Sequence, residues 1–183
     1  MRSVHTLPQG RTTGLTLLEL AISMVVMVGG VSALASTVVT GSSLNQVSRE
    51  TEVARKAIET QIDSMRSTTF SQVFATYNGV SSDDPGGAGT ALGSTFAVAG
   101  LTPVAGAPGG AAGEILFPST GPQLFETAVD ATVGMPRDLS LDGRIDALDH
   151  AADYMILPVR VRVRWQGKAG PRTVELQTQL SGL

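Results

Sequence analysis

One stretch limits what this chain can become more than any other. Gly14–Val39 reads G-L-T-L-L-E-L-A-I-S-M-V-V-M-V-G-G-V-S-A-L-A-S-T-V-V. From Leu15 onward it is apolar or small, and Glu19 is its one charge. A helix rises about 1.5 Å per residue, so about 20 such residues cross a bilayer core of about 30 Å. The run is long enough to span a membrane. A carboxylate in such a helix costs on the order of 2.5–3.5 kcal/mol on insertion scales, which marks Glu19 as a functional candidate. A buried carboxylate needs a partner or takes up a proton. The run holds no Lys or Arg. The partner is therefore expected from another chain or from a chain terminus.

Two simpler readings compete. Arg2 and Arg11 followed by an apolar run, with Ala33-Leu34-Ala35 as an A-x-A site, fit a secretory signal that would release a chain starting at Ser36. A plain single-pass anchor carrying an incidental Glu19 is the other.

The motif G-L-T-L-L-E-L, Gly14–Leu20, resembles the prepilin signature of type IV pilins and type II secretion pseudopilins. The resemblance implies cleavage by prepilin peptidase between Gly14 and Leu15 and methylation of the new N-terminus. It makes Glu19 the fifth mature residue, the one that meets the terminal amine of a neighbouring subunit during assembly. Leu15 stands where the family usually has Phe or Met, and Ser36 where many major pilins have a helix-kinking proline. Ser36 speaks against a major pilin, and a long amphipathic helix followed by a C-terminal hairpin most resembles the minor pilins that modify or prime the pilus. The resemblance implies other pilin or pseudopilin subunits and an inner-membrane assembly platform as partners. It also implies a single-pass inner-membrane location, with the C-terminal part periplasmic, before entry into a filament.

Met1–Gly14 is a polar leader with two arginines, the flank expected to stay cytoplasmic. The net charge of −3 becomes two units more negative once Arg2 and Arg11 leave with it, and nothing points to nucleic acid. The chain has no cysteine, so an exported domain must hold by packing or by a metal. Over Gly41–Thr69, the residues Leu44, Val47, Thr51, Ala54, Ile58, Ile62 and Met65 recur at spacings of three and four, with charges between them. That period predicts an amphipathic helix continuing the stem. Phe70–Asn78 is expected to fray into the first loop. Val80–Pro122 is rich in Gly, Ala, Ser and Pro and reads as connectors. Ser94–Leu101 and Glu114–Phe117 read as strands within it, and Gln123–Val133 fits helix or strand. In Tyr154–Trp165, Val159, Val161 and Val163 alternate with Arg160, Arg162 and Arg164, a strand with a solvated arginine face. Thr173–Leu180 alternates Val174, Leu176 and Leu180 inward, giving a hairpin with a connection over Gln166–Pro171.

Asp138–Asp149, D-L-S-L-D-G-R-I-D-A-L-D, matches a twelve-residue calcium loop. Asp138, Ser140 and Asp142 occupy positions one, three and five, with Gly143 at the sharp turn. Arg144 offers its carbonyl at seven, Asp146 sits at nine and Asp149 closes at twelve. The closing Asp makes it similar to dockerin-type loops. A lone loop of this kind points to calcium in a structural role. A solvated acidic turn is the alternative. His150 reads as a surface residue.

The expected fold is α+β. A long N-terminal helix, half membrane-spanning and half amphipathic, packs on a small antiparallel sheet ending in a C-terminal hairpin. The expected divisions are a leader at 1–14, a membrane helix at 15–39, an amphipathic helix at 40–69 and a β-rich domain at 70–183. No nucleophile constellation or phosphate loop is evident, so the expected role is structural, with no enzymatic activity. Three functions stand: a minor type IV pilus subunit, a minor pseudopilin of type II secretion, and a secreted or anchored calcium-binding module.

Overall fold

The computed structural model describes residues 16–168 and 170–182, and the chain divides into two units, Met1–Asn45 and Gln46–Leu183. A single helix, α1, runs from Leu17 to Ser67 and contributes to both.

In the first unit the described residues after Thr16 are all helical, and their large apolar side chains are exposed, from Leu17 at 87% to Val38 at 72%. Gly29 and Gly30 stay within the helix, and a Cβ at either would meet open space. Polar side chains here are satisfied locally. Ser23 donates to the Glu19 carbonyl, and Ser36 and Thr37 donate to that of Ala33. Such back-bonding removes a donor from an apolar environment without a second chain. Among the described residues, α1 is the one helix long and apolar enough to cross a membrane.

In the second unit α1 becomes one-sided. Ala54, Ile58, Ile62 and Met65 are buried, as their spacing predicts, and they face an antiparallel sheet. The apolar stripe starts later than its pattern suggests: Thr51 is half-buried. Four strands form the sheet: β1 (Thr95–Phe96), β2 (Gly113–Leu116), β5 (Ile156–Gly167) and β6 (Gly170–Ser181), in the order β1-β2-β5-β6. A separate two-stranded ribbon pairs β3 (Ser119–Thr120) with β4 (Gln123–Leu124). The β5–β6 hairpin pairs over its whole length, from Ile156↔Ser181 to Gly167↔Gly170. Pairing runs to Gly167↔Gly170, so the hairpin closes more tightly than the turn read from sequence, with Gln166 and Pro171 as paired strand residues.

Leu157, Val159, Val161, Val163 and Trp165 alternate onto the face that meets α1, and all are buried. Trp165 donates its indole N–H to Glu50 of α1 at 3.0 Å, a polar tie at the edge of an apolar contact. Leu176 lies opposite Val161 on the same face but is 43% exposed, since β6 is an edge strand and the helix does not cover it there.

Several expectations change. Phe70–Asn78 does not fray: Phe70–Tyr77 is a second helix, α2, with Val73, Phe74 and Tyr77 buried. Tyr154 pins it, donating its hydroxyl to the Phe70 carbonyl at 2.6 Å and accepting from the Phe74 N–H at 3.2 Å. Ser94–Leu101 holds only the two-residue β1, followed by turns. Gln123–Val133 is short strand, then irregular chain, then a 3₁₀ turn at Ala131–Val133. The arginine row is not a simple solvated face. Arg162 meets Glu114 at 2.7 Å, Arg164 meets the same carboxylate at 3.6 Å, and Arg160 approaches Asp130 at 3.5 Å and Glu175 at 3.8 Å. These partners lie across the sheet and on the turn that flanks it, so the row is neutralised within its own unit.

Candidate functional site

The first candidate site is the start of α1. Helix N-termini leave amides without intrahelical acceptors. Thr16 stands just before the helix and Glu19 three residues on, the spacing of a capping box. The Glu19 carboxylate accepts from the Thr16 N–H at 3.0 Å and from its hydroxyl at 3.1 Å, and the Thr16 hydroxyl oxygen accepts from the Glu19 N–H at 3.3 Å. The carboxylate therefore has hydrogen-bond donors within its own first turn, neither of them charged. Both bonds fall on Oε2. Among the described residues Oε1 has no partner. Gly14 and Leu15 lie outside the described residues.

The second candidate site is the loop at 138–149. Asp138 sets its shape: Oδ1 accepts from the Leu141 N–H at 2.6 Å and Oδ2 from the Gly143 N–H at 2.8 Å. Leu141 and Gly143 have φ of 63° and 88°. The second suits glycine; the first is a left-handed position held by a leucine. Asp142 accepts from the Arg144 N–H at 2.8 Å, and Asp146 from the Leu148 N–H at 2.7 Å. Ser140 lies 3.4 Å from Asp138 through its hydroxyl. Asp138, Asp142 and Asp146 therefore curl onto amides of their own loop. Asp149 does not: it accepts from the Leu124 and Ala151 amides, which ties the loop's end to β4.

Beneath the loop lies a residue that the sequence did not single out. Glu126 is 1% exposed. Its Oε1 accepts from the Leu139 N–H at 2.6 Å and the Ser140 N–H at 3.0 Å, and Oε2 from the Asp146 N–H at 3.2 Å. His150 is also buried, at 5% exposed, and not the surface residue its position suggested. Its Nδ1 lies 3.0 Å from Asp153, and its Nε2 lies 3.3 Å from Asp146 and 3.7 Å from Glu126.

The electrostatics follow from these neighbours. Burial alone would push the Glu126 carboxyl up, but three backbone amides and the charge of His150 bring it below its ordinary value. Asp146 is lowered too, first by the Leu148 amide and further by His150. Burial works against a charged His150, yet the hydrogen bonds to Asp146 and Asp153 and the charge of Glu126 outweigh it and raise its pKa. The group is an imidazole held among three carboxylates, an arrangement that favours its charged form. It also has metal-ligand chemistry: ligand atoms of Glu126, Asp146 and His150 lie within 4.8 Å of one another. Asp138, Asp142 and Asp149 are not members of that trio. Glu126 already serves three amides, so its oxygens are largely committed to bracing the loop. Nothing in the pattern of Gln123–Val133 marks Glu126 for burial.

Compared with protein-family models, with curated proteins and with solved structures, the chain matches none.

Proposed function

We propose that this protein is a minor subunit of a type IV pilus or pilus-like filament, made as a prepilin and assembled from the inner membrane. One observation carries the reading: α1 opens with a wholly exposed apolar segment whose single carboxylate, Glu19, sits in its first turn. An exposed apolar surface of that length needs lipid or other helices around it. The position of Glu19 adds to the case. Cleavage after Gly14 would free the amine of Leu15, one residue before Thr16, at the point where Glu19 already gathers donors. Oε1 is then the oxygen open to a terminus from a neighbouring copy. Prepilin peptidase and the assembly platform are the partners this reading requires. The second unit, with its internally neutralised arginine row, is the part presented outside the membrane. Replacement of Glu19 by alanine tests the proposal. The variant should still insert in the membrane and should be lost from sheared filaments; incorporation at the normal level would reject the role of Glu19.

Calcium at 138–149 is a separate proposal. Its support is the tight turn through Leu141 and Gly143, with Asp138, Asp142 and Asp146 folded around it. These carboxylates, Ser140 and the Arg144 carbonyl are the donors. Asp149 would have to leave the Leu124 amide to join them. Calorimetry on the purified chain decides it: heat on adding calcium and a lower melting temperature with chelator are expected, and the absence of both removes the ion.

A further inference from the structure

We propose that the open edge of β6 takes up an extended segment of a different filament subunit, which becomes a fifth strand of the sheet. The inference rests on the minor-subunit reading, under which the neighbours of this chain are other polypeptides, and it names the surface that meets one of them.

β6 is the last strand in the order β1-β2-β5-β6. The Arg164 N–H goes to the Ala112 carbonyl and the Gln166 N–H to that of Thr102, so these residues of β5 turn away from β6. Along an antiparallel strand the N–H and C=O of one residue point to the same side, and the side alternates. Val161, Val163 and Trp165 therefore bond to their partners Leu176, Val174 and Arg172. Thr173, Glu175, Gln177 and Gln179 direct their N–H and C=O outward, and among the described residues no further backbone group meets them. Proteins ordinarily blunt such an edge with a bulge, a proline, charges or a short strand. β6 is twelve residues long, keeps its register throughout, and has its one proline, Pro171, beside the closed end of the hairpin. Its outward-directed positions carry one charge, Glu175, which approaches Arg160 at 3.8 Å.

A trough lies under the same edge. A depression of about 340 Å³ is lined by Glu59, Ile62 and Asp63 of α1 and by Leu176 and Thr178 of β6. A second, of about 360 Å³, is lined by Met65, Phe70 and Leu180, and Arg66 lines both. Leu176 is 43% exposed there. A strand added to β6 sends alternate side chains to the α1 side of the sheet, where they cover Leu176 and fill the trough. Free backbone groups with pockets for alternate side chains are what a sheet needs to take up an extended peptide.

Charge narrows the chemistry of that segment. Glu59 and Asp63 stand one turn apart on the trough wall, and like charges at that spacing repel. Arg66 approaches Asp63 at 3.5 Å and leaves Glu59 to be met from outside. The segment is therefore apolar at alternate positions, with a Lys or Arg among them that reaches Glu59. A second copy joined edge to edge sets these acids against their own counterparts on one face of the joined sheet, which opposes that pairing.

Full-length chains with a photo-crosslinking residue in place of Thr173, Gln177 or Gln179, one at a time, are expressed in the cells that assemble the filament, and the adducts are mapped by mass spectrometry. Adducts to one other filament subunit are expected, all on one short segment. The attachment point should move by two residues between the Gln177 and Gln179 probes and by four between Thr173 and Gln177, a stepping that marks a paired strand. Gln177→Pro removes an outward N–H and no β5–β6 hydrogen bond, so it should melt close to wild type and cut the adduct from the Gln179 probe several-fold. Glu59→Lys, at an exposed position, should also cut it several-fold, and decides alone if the proline variant melts early. Adducts to a second copy of this chain only, scattered attachment points, or adducts that survive Glu59→Lys undiminished would overturn the proposal. So would an absence of adducts from chains that start at Leu15 and enter filaments, an outcome that leaves the filament reading intact. Chains that start at Ser36 would remove both.

Discussion

Glu126→Ala is the sharpest perturbation of the second unit. The side chain is 1% exposed, accepts from the amides of Leu139, Ser140 and Asp146, and faces His150 at 3.7 Å. Hydrogen bonds to a charged acceptor are each worth about 1.5–3 kcal/mol. Deleting one partner of a buried ion pair costs about 3–5 kcal/mol where the other charge is left uncompensated; His150 keeps Asp146 and Asp153, so that figure is an upper bound here. The two figures describe overlapping interactions and do not add. A loss of at most about 3–5 kcal/mol is expected, against a total of about 5–15 kcal/mol for an ordinary domain. For a unit of this size that is at most on the order of 10–20 °C in melting temperature. Glu126→Gln should lose less, about 2 kcal/mol, since one oxygen can still serve Leu139 and Ser140 while its amide group opposes the Asp146 N–H. Circular dichroism melts of the full chain in detergent measure both. Amide hydrogen exchange adds a local readout, with Leu139 and Ser140 losing protection first. Asp63→Ala, which removes an exposed pair with Arg66, is the control and should fall within about 0.5 kcal/mol of wild type. If Glu126→Ala melts with that control, the account of the loop's foundation is wrong.

Other outcomes follow from the same geometry. The pKa of His150 is raised, so its stabilisation is complete below its ordinary pKa and is lost as pH climbs through the higher folded value. Glu126 and Asp146 are lowered, so theirs is complete above the ordinary carboxylate range and is lost as pH falls through the lower folded values. Melting temperature should therefore be highest between those limits, and His150→Gln should flatten the alkaline side; an unchanged profile would refute the arrangement around His150. Gly113→Ala should destabilise by about 1–3 kcal/mol, because its Cβ would overlap the Phe96 ring; a wild-type urea midpoint would count against the β1–β2 packing. Glu50→Gln, which weakens the Trp165 tie, should shift tryptophan emission, with no spectral change arguing against the contact.

Periodic elements were legible because burial is written into their spacing. Ala54, Ile58, Ile62 and Met65 name the helix face, and Val159, Val161 and Val163 name the strand face, without further information. Leu176 follows the same alternation and is nonetheless exposed, because strand period does not say where a helix stops covering a sheet. The arginine row illustrates a related limit. Arg162 pairs with Glu114, 48 residues away, and no local pattern encodes such a partner. Loop chemistry was half readable. The D-L-S-L-D-G pattern announces a tight acidic turn, and Asp138 and Gly143 make it. Glu126 under that turn was not readable, since a carboxylate in a mixed stretch normally faces water. His150 was misplaced for the same reason: its three acidic neighbours assemble only in the fold.

Mass spectrometry of the protein recovered from shed filaments and from membranes tests the central claim most directly. The account predicts one mature species beginning at Leu15, with a methylated terminal amine, four residues before Glu19. A chain beginning at Ser36, cut free of the apolar segment and of Glu19 together, would contradict it.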